Sequence, residues 1–155
     1  MQRPHRSSHA WWPAIALLAV GTAGVAAAWT LLALMLHRQC AWMALVAAVD
    51  AIFLLRFARI RPGALAAALA VAATALAIAL ANWWIAAAQL AASVGMPPWE
   101  GILRTGARHA WIVADLANGP AQLAWSAFAL LVAMLGAGLG IGNGARPPAA
   151  PSGGA

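Results

Sequence analysis

Asp50, Asn82 and Gln89 are polar side chains set deep within apolar runs of this chain. A carboxylate inside a membrane segment can relay a proton or ion, contact a substrate, or dock a partner helix. Left bare at the bilayer centre it costs roughly 2.5–3.5 kcal/mol on insertion scales. Asp50 lies midway between Cys40 and Ile60, about 9 Å deeper than Arg56 at 1.5 Å per residue. Arg56 is six residues on and points to a different helix face. Asn82 reaches comparable depth if its run is centred near Ile78, and Asn82 and Gln89, seven residues apart, share a face. These positions predict a polar seam of Asp50, Asn82 and Gln89 between the second and third runs. Its chemistry is either interhelical glue and partner docking, or a proton or ion relay. No second charge lies deep within the apolar runs to build a pathway, which favours the structural role.

A second constellation is Glu100, Arg104, Arg108 and Asp115. On a helix over 98–117, at about 100° per residue, all four fall within a quarter of the circle. That pattern predicts an amphipathic helix lying in the outer membrane interface, with Trp99 and Trp111 at headgroup level. Gly101 and Gly106 oppose it, at about 1 kcal/mol each relative to Ala. The rival is one broken span over 109–134, unwound at Asn118-Gly119-Pro120. It would bury Asp115 without an evident partner.

The remaining reactive types are dispersed. His5, His9, His37 and His109 form no ligand spacing, and the lone Cys40 supports neither a disulfide framework nor a metal centre. No phosphate-binding loop is present. No cofactor, metal or catalytic set is expected, and the chain does not read as an enzyme.

The elements that carry these residues follow from composition. Of 155 residues, 65% are apolar and 8% charged, where a soluble domain carries roughly 25% charged residues. Too few charges remain to cover a water-facing surface, so the class is integral membrane protein. Four runs approach or exceed the roughly 20 residues that cross a bilayer: about 12–36, 40–60, 64–94 and 121–141. Uninterrupted apolar runs of this length predict helices, not barrel strands. The expected architecture is all-α: a single four-helix transmembrane domain over 1–142, with the outer-face helix between the third and fourth spans. The tail, 143–155, is rich in Pro and Gly and is expected to be disordered on the cytoplasmic side. The first run, about 25 apolar residues, is too long for a typical signal core and is expected to remain as a span.

Charge sets orientation. Arg3, Arg6, Arg56, Arg59, Arg61 and Arg146 share one side of a four-span chain, while Arg38, Arg104 and Arg108 share the other. The excess predicts both termini in the cytoplasm, and the expected location is a bacterial inner membrane. Arg56, Arg59 and Arg61 cluster at a span end, where anionic lipid headgroups are the natural partners. Nucleic acid is not an expected partner, because no soluble basic surface is present. The small-residue series Gly136, Gly138, Gly140, Gly142 and Gly144 permits close helix approach. A second copy or another membrane protein is therefore an expected partner, in an accessory or structural role. A small transporter or channel component using Asp50 is the alternative.

Overall fold

The computed structural model describes residues 11–38, 40–97, 99, 100, 103 and 119–139. Its long elements are helices: α1 (Trp11–Leu36), α2 (Met43–Phe57), α3 (Ala64–Ser93) and α4 (Pro120–Gly138). α1, α3 and α4 are long and apolar enough to cross a membrane. Trp99, Glu100 and Leu103 have helical backbone. The rest of the expected outer-face helix, including Arg104, Arg108 and Asp115, lies outside the described residues, as does the 143–155 tail.

α2 is shorter than its apolar run. Its 15 residues rise about 22 Å, less than the roughly 30 Å of a hydrocarbon core. The residues before it wind in i to i+3 turns: the Met43, Ala44 and Leu45 amides donate to the Cys40, Ala41 and Trp42 carbonyls at 2.9, 3.2 and 3.0 Å. After it the chain turns sharply into Arg61-Pro62-Gly63. Gly63 enters α3 at φ +154°, a backbone region essentially restricted to glycine.

Three helices end in the same way. The Arg38, Ile60 and Met96 amides reach back to the Ala33, Leu55 and Ala91 carbonyls at 3.3, 3.1 and 2.9 Å. The residue before each amide is left-handed: His37 at φ +50°, Arg59 at +56° and Gly95 at +72°. This six-to-one closure satisfies carbonyls that a helix end leaves open. Only α3 places the usual glycine there. α4 begins on extended Gly119 with Pro120 in its first turn, where a missing N–H costs nothing.

Each helix packs on two or three others, in the ring order α1, α2, α4, α3. α2 and α3 also touch across the centre, whereas α1 and α4 do not meet. Close approaches fix the levels. Gly21 of α1 sits against Leu54 and Asp50 of α2, Gly136 of α4 against Ile52 of α2, and Gly138 of α4 against Ala67 of α3. The first half of α1, the second half of α2, the start of α3 and the end of α4 therefore share one end of the bundle. The topology is up-down-up-down.

The core is made of alanine. Ala44, Ala48, Ala70, Ala81, Ala129 and Ala133 are fully or almost fully buried, with Trp29 the largest apolar side chain among them. The outer surface carries the bulk, including Val20, Met35, Phe53, Phe57, Leu76 and Phe128. Small side chains let backbones approach closely, so packing and not side-chain volume holds the interfaces. Buried hydroxyls are satisfied within their own helices: Thr22, Thr30 and Thr74 donate to the Leu18, Ala26 and Ala70 carbonyls at 2.7–2.9 Å.

Candidate functional site

Asp50 is the eighth of the 15 residues of α2 and is half-buried. Its position on the helix turns it toward α1. A Cβ built on Gly21 would stand 3.3 Å from Asp50 Oδ2. The absence of a side chain at Gly21 thus makes the space that the carboxylate occupies. No described residue hydrogen-bonds or ion-pairs with Asp50.

The three residues of the expected seam do not meet. Gly138 is level with Ala67, and Gly136 with Ile52, so Asp50 lies level with roughly residues 71–74 of α3. Asn82 is two to three turns farther along, more than about 10 Å. The physical reason is α2's shortness combined with the tight turn after it. The two helices are level at their cytoplasm-expected ends, so their midpoints are offset. Asn82 is half-buried and Gln89 is exposed.

Further polar groups lie at roughly the level of Asn82; of these, Trp83, with Trp84, is expected from the sequence at the outer interface of the third span or in a packed aromatic pair, whereas Gln122 and Trp29 carry no expectation. Gln122, in the first turn of α4, is buried. It shares a face with the buried Ala129, Ala133 and Ala137. The indole N–H groups of Trp29 and Trp83 are buried and have no hydrogen-bond partner among the described residues. Trp84, its neighbour, packs against the core cluster. Gln122 was detectable as an amide in register with that alanine face. Trp29 was not, because α1 is apolar on every side.

Arg56, Arg59 and Arg61 are exposed at the opposite end. Arg56 Nη2 donates to the Gly136 carbonyl at 3.5 Å, placing a cation by the last turn of α4, the negative end of that helix. Glu100 is half-buried just beyond α3, its amide bonded to the Pro97 carbonyl at 3.1 Å. Cys40 is buried, with its thiol near the Arg38 carbonyl at 3.7 Å. Among the described residues no three His, Cys, Asp or Glu side chains come together.

Compared with known proteins, the chain matches no family model, no curated protein and no solved structure. What the site can do rests on its own geometry. That geometry is a lone carboxylate halfway along a short helix, beside a glycine, with apolar neighbours on the outward side.

Proposed function

We propose that this chain is a small integral membrane protein that crosses a bacterial inner membrane four times, with both ends in the cytoplasm. Its role is structural or accessory, and it packs with a second copy or with another membrane protein. The observation that carries this reading is the sorting of side chains. Alanine fills the interior, while large apolar residues cover all four helices outside. In water such a surface would aggregate; in lipid it is the expected surface.

The up-down-up-down order supports a fourth crossing by α2. The chain must return between α1 and α3, and α2 together with its leading turn rises approximately 28 Å. Arg56, Arg59 and Arg61 then lie at the cytoplasmic border, in reach of anionic headgroups. Neither a cofactor nor a catalytic role enters this reading.

Sided labelling tests it. With Cys40→Ala as background, cysteines at Arg38 and at Arg61 should react with impermeant reagent from opposite faces of sealed vesicles. Labelling of both from one face would overturn four crossings.

The half-buried carboxylate of Asp50 favours a second reading, a proton or ion relay. Purified chain in vesicles would then support a proton flux that Asp50→Asn abolishes. Under the accessory reading, vesicles with and without the chain leak alike.

A further inference from the structure

Val46, Asp50, Phe53 and Phe57 recur along α2 at spacings of four, three and four, so they form one stripe. The three apolar members are 39%, 70% and 82% exposed. Alongside runs α1, with Gly21 against Asp50. Gly24, about one turn along, is open: nothing lies within 4 Å of a Cβ built there. Lipid tails cover Val46, Phe53 and Phe57 as well as protein does. They offer nothing to a carboxylate. This flank therefore has one feature that lipid leaves unsatisfied, next to a surface low enough for another backbone to approach.

We propose that the α1–α2 flank centred on Asp50 docks a transmembrane helix of another protein, which presents an Arg or Lys side chain to the Asp50 carboxylate. The inference rests on the accessory reading above and names the partner's chemistry. Charge selects the occupant. A second copy of this chain would bring a like carboxylate to the same groove, and like charges juxtaposed across an interface repel. The chain's own described cations sit at helix ends. Arg56, the nearest along α2, reaches α4, whereas Asp50 faces α1. A cation from a partner helix forms a charge-assisted hydrogen bond in a medium of low dielectric. Gly24, open on this flank, lets the partner's backbone come near, so a side chain of ordinary length reaches.

The test uses the full chain in lipid vesicles, with Cys40→Ala and a donor dye on Arg61→Cys. The probe is a synthetic Leu/Ala transmembrane peptide of about 21 residues, with an acceptor dye and one central guest residue: Arg, Leu or Glu. Energy transfer should show the Arg peptide associating about tenfold more strongly than the Leu peptide. Asp50→Asn should reduce it to the Leu level. Asp50→Lys should transfer the preference to the Glu peptide, which keeps the test valid if Asp50→Asn alone disturbs folding. Gly24→Leu should block the Arg peptide sterically with Asp50 intact. Equal binding of the Arg and Leu peptides, or a preference that survives Asp50→Asn, overturns the proposal. So does Asp50-dependent transfer between donor- and acceptor-labelled copies of the chain itself. Asp50-dependent proton flux in peptide-free vesicles would instead overturn the accessory reading. Failure of the peptide without flux overturns only the docking surface.

Discussion

Asp50 of α2 and Gly21 of α1 share one space: the carboxylate Oδ2 lies 3.3 Å from where a Gly21 Cβ would stand. Leu54, one turn along α2, closes on the same point. The crossing of α1 and α2 therefore depends on a missing methyl group. Gly21→Ala should destabilise the bundle by about 1–3 kcal/mol through overpacking. Gly24→Ala, in open space, should be neutral or slightly stabilising. Denaturation in mixed micelles, read by tryptophan fluorescence, compares the two; equal effects would contradict the close crossing.

A parallel approach joins α4 to α2. A Cβ on Gly136 would stand 2.5 Å from Ile52 Cδ1. Gly136→Ala should weaken the fold, and Ile52→Val should recover part of the loss, because it removes that Cδ1 atom. A double-mutant cycle should give a coupling of about 0.5 kcal/mol or more. Additive effects would mean that the two helices do not touch there.

His37 and Arg59 occupy left-handed backbone at φ +50° and +56°, which costs a side-chain-bearing residue roughly 1–2 kcal/mol. Replacing either with Gly should stabilise the chain by up to about 1 kcal/mol, partly offset by the greater freedom of Gly in the unfolded chain. Gly95→Ala should do the opposite at the end of α3. Unfolding midpoints of the three single variants check the signs.

Trp29 is 1% exposed and its Nε1 has no partner among the described residues. Phenylalanine keeps most of the ring and removes the unpaired N–H, whose burial costs about 1–3 kcal/mol. Trp29→Phe should therefore be near neutral, whereas Trp29→Ala should cost about 3 kcal/mol or more through its cavity. The same unfolding assay distinguishes them; a large loss in the Phe variant would point to a partner for the indole.

Asp50 forms no hydrogen bond or ion pair with any described residue. Asp50→Asn should ease insertion and raise stability of the chain alone, by an amount up to the roughly 2.5–3.5 kcal/mol insertion cost of a central Asp. An insertion assay in microsomes or membrane extracts measures it. A loss of stability would show that the carboxylate is bonded within the chain.

The all-helical class and the place of Asp50 midway along an apolar run were legible in the sequence, because run length and the position of a carboxylate within a run are local facts. The helices α1 and α3 begin and end within about a residue of the first and third apolar runs. α2 was overestimated. The run 40–60 is apolar but for Asp50, Arg56 and Arg59, yet its first residues form turns and its last ones close on Arg59. Apolarity alone does not distinguish a helix from the turns that flank it.

Which faces meet was not legible. A helix that is apolar all round has no periodic stripe to assign. Here the usable signal was size, with alanine at Ala66, Ala70, Ala73, Ala77 and Ala81 pointing inward. The sequence by itself determined the helical class, the apolar runs long enough to cross a membrane and the carboxylate midway along one of them, since these follow from composition and run length. Only the tertiary structure decided that Asp50 faces Gly21 and stands apart from Asn82. Relative depth depends on where a short helix and its turn place one span against the next, and close crossings are set by shape across the bundle, which no single run of residues contains.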